Sequence, residues 1–299
     1  LHKESLMATW SVERIVTTAP LSYGGLEPSS EVYVAIHEDR ALLIDAGTDP
    51  AAYDRIVHAL RGTTPIGLLL THHHPDHTLA ALALARRLDI PIFADIREHD
   101  ALRRLWSGDG SLGTRADRRA PDTRRLFACP DAIRVASDTV SCIRTPGHTH
   151  GHLCAFIQSE GRLFSGDAVV PSGTVWIGPP DGHMSDYLQT LTLLASLHPS
   201  IIHPGHGEDI LEPATVIRSM IARRREREED IVRALGTPRS VAELADHLYG
   251  GKIPAAHMWA ARKTCLAHLE RLLDQGRVTL RFERGRGLLY ATRGGQDGY

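Results

Sequence analysis

Short apolar runs set between polar turns fill the first two thirds of the chain, and longer helical patterns fill the last third. Residues 31–36 and 41–45 are apolar runs on either side of the polar stretch 37–40, the pattern of a β-hairpin. Residues 50–60 read as a helix, with Ile56 and Leu60 four apart and Gly62 as a stop. Residues 66–70 form a buried-strand run, 72–76 a turn, 79–88 a second helix and 90–93 another strand. Strand, helix, strand at this spacing indicates layered α/β structure.

Residues 97–128 break the rhythm. They carry Arg97, Arg103, Arg104, Arg115, Arg118, Arg119, Arg124 and Arg125, with Gly108, Gly110 and Gly113 between them. This stretch reads as a solvated surface insertion or as a lid over a site. Strands return at Val135, 139–143, 153–157 and 162–164, followed by an amphipathic helix over 187–197 and a short strand at 201–202. After Pro213 the pattern turns helical, over 215–235, 240–249 and 254–275. The charged run 223–230 is expected on the exposed face of the first of these helices. Ser240 and Glu243 have capping-box spacing. Two alternating strands, 277–282 and 287–291, follow, so helix, helix, strand, strand outlines a winged helix. The predicted domains are 12–211 and 212–299.

Composition narrows the class. The chain has 299 residues, 42% of them apolar, which is enough to bury a core. No apolar run reaches the roughly 20 residues a membrane helix needs, and the first residues lack a signal-peptide core, so a soluble, cytoplasmic protein with no membrane partner is expected. Net charge is −2. Residues 1–210 hold 18 Lys/Arg against 25 Asp/Glu, whereas 211–299 hold 16 against 11, so the C-terminal part is the basic one. Cys129, Cys142, Cys154 and Cys265 form no CxxC pair and are expected to be reduced.

Histidine is the unusual residue, at 18 of 299. Thr71-His-His-His-Pro-Asp-His77 follows a predicted strand directly. His72 and His74, two apart in extended chain, point the same way. Asp76 and His77 stand at the entry to the next helix and can face a second point, so one loop can serve two adjacent metal ions. Imidazole and carboxylate are ligands for Zn²⁺ and, less selectively, for iron or manganese. Three later segments end predicted strands and offer further ligands: Thr-Pro-Gly-His148, Phe-Ser-Gly-Asp167 and His203-Pro-Gly-His206. His206 is preferred to His203 because only it sits in a Gly-His-Gly turn. His150 and His152 read as supports for a ligand or substrate, and His183 as a surface residue.

His-x-His-x-Asp-His, then Gly-His, then Ser-Gly-Asp, then Pro-Gly-His-Gly resembles the metallo-β-lactamase superfamily over roughly residues 12–210. The resemblance implies an α/β fold, an αββα sandwich with the metals at one sheet edge and a small C-terminal winged-helix domain. It implies two divalent ions, Zn²⁺ foremost, with His72, His74 and His148 on the first, Asp76, His77 and His206 on the second, and Asp167 bridging both. Asp45 would support the metal loop. Asp76 would also take up a proton during catalysis. The winged-helix pattern is similar to the beta-lactamase-like-protein-2 branch, which includes single-strand endoribonucleases and has fungal relatives that release acyl chains from carrier proteins.

The expected activity is hydrolysis of an ester or thioester, of a small molecule or carrier-bound acyl group, through a hydroxide held by the metals. Two alternatives are a single-strand-specific endoribonuclease and a DNA-binding regulator that uses the winged helix. RNA would need a basic groove with stacking aromatics, and aromatics are only 5% of the chain, which favours the acyl substrate. The C-terminal domain would shape the site's rim and could support a homodimer.

Overall fold

A computed structural model describes residues 9–18, 29–48, 52–107 and 122–293. These fall into two compact units. The first is drawn from Leu1–Thr145, Gly151–Pro171 and His198–Pro213, the second from Pro146–His150, Ser172–Leu197 and Ala214–Tyr299.

Two sheets build the first unit. One runs in the order β1 (Ser11–Thr18), β2 (Ser29–His37), β3 (Arg40–Ile44), β4 (Thr64–Leu69), β5 (Ile92–Ala94) and β6 (Leu126–Ala128). Its β1–β2–β3 part is antiparallel, and β3 to β6 are parallel. The other contains β7 (Ala132–Val135), β8 (Asp138–Arg144), β9 (Leu153–Ile157), β10 (Arg162–Gly166) and β11 (Ile201–Pro204), ordered β11-β10-β9-β8-β7. In this sheet β10 and β11 are parallel and the other pairs antiparallel.

The apolar run 41–44 is continuous because β3 is buried on both faces. Leu42 and Ile44 turn into the core between the sheets, with Tyr33, Leu69, Val140, Leu153 and Phe164. Ala41 and Leu43 turn the other way. There they pack with residues of α1 (Ala52–Ala59), α3 (Ala81–Leu88) and α4 (His99–Trp106), namely Ile56, Leu84 and Leu102. Leu42, Leu43, Leu68 and Leu69 have no exposed surface. Each such side chain contributes about 1.5–3 kcal/mol on burial, so the strand ends that carry the histidine loop stand on a rigid base.

The structure corrects three expectations from the sequence. Residues 72–76 are not simply a turn, because α2 (Pro75–Thr78) opens at Pro75, whose missing N–H costs nothing at a first helical position. The stretch 97–128 is not all surface insertion. Its α4 is a core helix, with Leu102 fully buried and Trp106 packed against the same cluster. Asp95 caps the preceding 3₁₀ turn by accepting the Arg97 N–H. Gly108, Gly110, Gly113, Arg115, Arg118 and Arg119 lie outside the described residues.

The third correction concerns the second unit. Its elements are α5 (Met184–Ser196), α6 (Pro213–Ala234), α7 (Val241–Tyr249), α8 (Met258–Asp274) and the hairpin β12 (Val278–Glu283) with β13 (Gly287–Thr292). The charged run 223–230 is not wholly exposed, because Arg224 and Glu228, four apart on α6, turn inward and are buried. Ile231, Leu235, Leu244, Leu248, Cys265, Leu269 and Tyr290 form the core of this helical region. The Ser240–Glu243 capping box opens α7 as expected. All four cysteines are free. Among the described residues, no helix is long and apolar enough to cross a membrane.

Candidate metal centre

Parallel pairing brings the polar strand ends together. β3 and β4 run side by side with Ile44 opposite Leu69, so Asp45 stands beside Thr71. Asp45 adopts the left-handed conformation at φ 59°, which Asp tolerates better than most residues. Its carboxylate accepts from the Thr71 N–H at 2.8 Å, the Thr71 hydroxyl at 2.8 Å and His77 Nδ1–H at 2.8 Å. That last bond leaves the His77 Nε2 lone pair pointing away from Asp45. The Thr71 hydroxyl, having donated to Asp45, stands 3.0 Å from His72 Nδ1 as its acceptor.

The second pair of strand ends comes from β10 and β11, where Gly166 lies opposite Pro204. Asp167 and His206 follow directly. The Gly205 N–H donates to the Gly166 carbonyl at 2.8 Å. A Cβ on Gly205 would lie 2.7 Å from Asp167 Oδ1 and from His77 Cε1, so only glycine fits there. His206 Nδ1–H donates to the Ser29 carbonyl, which aims Nε2 inward.

Four ligand-capable atoms thus converge. His77 Nε2 is 3.3 Å from His206 Nε2, 3.4 Å from Asp167 Oδ1 and 3.7 Å from Asp76 Oδ2. His206 Nε2 is 3.3 Å from Asp167 Oδ1 and 3.4 Å from Asp76 Oδ2. Tetrahedral ligands about 2.0–2.1 Å from a Zn²⁺ ion would be spaced about 3.3–3.4 Å apart. The donor chemistry and the spacing both fit a divalent cation. Beside this group, the ligand atoms of His72, His74 and Asp167 lie within 4.8 Å of one another.

The electrostatics agree with that fit. Burial works against charge at all four residues, yet their partners outweigh it. Asp76, beside His77 and His206, is lowered to about 2. Asp167, beside the same two imidazoles, is held well below the ordinary carboxylate range. His206 is raised to about 10 by Asp167 and Asp76, and His77 lies well above the ordinary imidazole range. The chain has gathered two carboxylates that demand positive charge in a buried place, which a cation or imidazole protons can supply.

The remaining predicted residues are placed as follows. His148 belongs to the second unit, where its Nδ1–H donates to the Trp176 carbonyl at 2.8 Å and leaves Nε2 as a donor atom for a ligand bond. His152 accepts the Asp167 N–H at Nε2, 3.1 Å, and its Nδ1 meets the Thr145 hydroxyl at 2.8 Å, so it holds the Asp167 backbone. His150 Nε2 meets the Pro180 carbonyl. His203 is tied to Asp209 at 2.9 Å and stacks on Phe164, away from the converging atoms. His183 pairs with Asp186 at 3.1 Å near the start of α5.

Two supports escaped the sequence reading. Glu98 is buried, contacts His73 Nδ1 and accepts the Gly151 N–H at 2.7 Å. The Asp95–Glu98 spacing, that of a helix start, was the available signal. The Ser30 hydroxyl donates to the Asp76 carbonyl at 2.5 Å and meets Thr17 Oγ1 at 2.8 Å. A serine at the start of a strand carries no such signal.

The profile described as the Metallo-beta-lactamase superfamily matches residues 25–206, more than half of the chain. An atrochrysone carboxyl ACP thioesterase from Aspergillus fumigatus is 30% identical over 198 residues, 65% of this chain and 56% of that protein. A beta-lactamase-like protein 2 homolog from Caenorhabditis elegans is 27% identical over 214 residues, 70% of this chain and 63% of that protein. The chain therefore spans little more than half the length of these relatives. A crystal structure of a metallo-beta-lactamase family protein from Thermus thermophilus superposes with a TM-score of 0.75 at 23% identity, covering 94% of this chain and 98% of that one, a likeness of fold. On the profile match, this chain belongs to the metallo-beta-lactamase superfamily.

Proposed function

We propose that the protein is a dinuclear metal-dependent hydrolase of acyl thioesters or esters, with a carrier-bound acyl group as the preferred substrate class. The observation that carries this reading is the convergence of His77, His206, Asp76 and Asp167 at 3.3–3.7 Å, the spacing of ligands around one cation. In this reading Asp76, His77 and His206 would hold one ion, and His72 and His74, with His148 by its motif, would hold the other. Asp167 would supply its carboxylate to the pair. The place of His148 rests on its Gly-His motif. Zn²⁺ suits these donors, with iron and manganese as the alternatives a metal analysis would separate. When bound, such ions polarise the scissile carbonyl and lower the pKa of water towards about 7.

The chain's own residues supply the rest. Asp45 and the Ser29 carbonyl fix the tautomers of His77 and His206, so both imidazoles present a lone pair without reorganisation. The Asp76 carboxylate oxygen that does not face the cation takes up the proton of the attacking water and returns it to the leaving thiol or alcohol. The acyl-carrier substrate class is supported by the name of the Aspergillus fumigatus relative. Residues 213–292 supply a helical region and hairpin in the element order of a winged helix, which we take as a substrate-shaping domain.

The deciding assay measures turnover of the metal-analysed protein on an acyl-thioester panel and on single-stranded RNA, with and without chelator. Chelator-sensitive thioester hydrolysis is the expected result. Cleavage of RNA alone would overturn the substrate class, and chelator-insensitive turnover would overturn the metal mechanism.

A further inference from the structure

The second unit holds a cavity of about 580 Å³ with walls from α6, α8 and the 174–176 segment, well inside the range of about 300–1,000 Å³ that small-molecule sites occupy. No role in the proposed hydrolysis calls on it. Three of its features point to one kind of ligand.

The first is charge. Arg223, Arg224 and Arg227 line the cavity against Glu226 and Asp230. Asp230 is contacted by Arg233 and stands 3.8 Å from Arg227, so its charge is already shared. Arg224 is 5% exposed. Its described partners are the Val175 carbonyl and Tyr187, which hydrogen-bonds it and whose ring lies 5.4 Å from the guanidinium carbon; neither brings a carboxylate to the guanidinium. A buried guanidinium so placed favours an anion.

The second feature is a flat, aromatic wall. Arg227 lies over the Tyr249 ring at 4.7 Å, and Trp176 meets Trp259 edge-on at 5.7 Å. Such a guanidinium–tyrosine layer can extend by stacking a further planar group. The third is His257, whose Nε2 is buried in the cavity wall with no hydrogen-bond partner among the described residues. A buried polar atom of this kind is unfavourable until something pairs with it.

We propose that this cavity binds an organic anion, a planar ring that bears a phosphate or carboxylate group. The anion faces Arg224 and Arg227, the ring lies along Tyr249 and Trp176, and His257 Nε2 bonds a polar ring substituent or an oxygen of the anion. Trp176 also carries the carbonyl that accepts from His148 Nδ1–H.

The test is calorimetric titration of the full chain, first treated with chelator so that the metal centre plays no part. The probes are phenyl phosphate, benzoate, inorganic phosphate and phenol. Phenyl phosphate or benzoate is expected to bind saturably with one site per chain, at least tenfold tighter than inorganic phosphate or phenol. Arg227→Gln should weaken that binding at least tenfold, and Ala260→Phe, which fills the cavity from α8, should remove it. Arg227→Lys, which keeps the charge, should retain part of it. Arg225→Gln, on the same helix outside the cavity, should leave it unchanged. Absence of saturable binding, or equal binding by Arg227→Gln, would overturn the proposal. Phenol binding as well as phenyl phosphate would remove the anion from it, and inorganic phosphate binding as well would remove the ring. None of these outcomes depends on the hydrolase reading, which stands or falls on turnover.

Discussion

Two clusters of buried charge among the described residues follow opposite logic. At the strand ends of the first unit, Asp76, His77, Asp167 and His206 turn their acceptor atoms towards one point. The far sides of the imidazoles are tied off by Asp45 and the Ser29 carbonyl. In the second unit, acceptors meet donors. Glu228 accepts from Arg271 Nε at 3.0 Å and faces His268 Nδ1 at 3.5 Å, while Arg271 also donates to the Ser185 hydroxyl at 3.1 Å. In the second cluster the carboxylate already has its guanidinium, whereas the first is complete only with added positive charge. Burial and charge alone do not tell such clusters apart; the direction of the lone pairs does.

Breaking the first cluster should have the largest effect. Asp76→Ala is expected to lower kcat/KM by roughly 10²–10⁴-fold, the worth of a positioned proton carrier, and to reduce bound metal measured in parallel. His148→Ala should do the same with the fold retained by circular dichroism. Full activity in either variant would remove that residue from the site.

Breaking the second cluster should instead cost stability and spare chemistry. Glu228→Ala leaves Arg271 and His268 without their carboxylate, and about 3 kcal/mol should be lost in urea unfolding. The pH dependence has a definite sign. Burial raises the Glu228 pKa, but His268 and Arg271 outweigh it and hold the carboxyl below its usual 4.5. Its contribution is therefore fully present above about pH 4.5 and fades as pH falls through the lowered folded value. The variant should lack this acid-side loss; an unchanged acid limb would break the assignment.

A subtler cut separates the atoms that face the centre from those behind them. Asp45→Asn keeps the shape of the residue but removes the charge behind His77, and should weaken metal binding by about 10–100-fold. A value equal to that of the unaltered chain would show that the His77 tautomer is held by other contacts. The smallest effect lies far from both clusters. Ser240→Ala removes the α7 cap and should cost about 1 kcal/mol of stability with turnover unchanged.

Much of this was legible in the chain as a string of residues. The segments that carry the candidate ligands end strands, and strand ends announce themselves by an apolar run followed by a turn. The 31–45 hairpin and the α7 cap are likewise local, because spacing of two, three or four residues carries their geometry. What stayed hidden depends on partners far along the chain. Arg224 and Glu228 looked like part of a solvated run, since an i, i+4 pair says nothing about which side of a helix is covered. Residues 99–106 were masked by their arginines, although Leu102 and Trp106 already marked a buried face.

The sequence by itself determined which residue types could bind a cation and in what order they occur, because motif chemistry is written in short spacings. Only the tertiary structure decided which of them meet. The parallel pairing of β10 with β11 sets His206 beside Asp167 and turns His203 towards Asp209, and the pairing of β3 with β4 puts Asp45 behind His77. Convergence of four atoms at 3.3–3.7 Å is a property of packed sheets, and no local spacing in a chain can encode it.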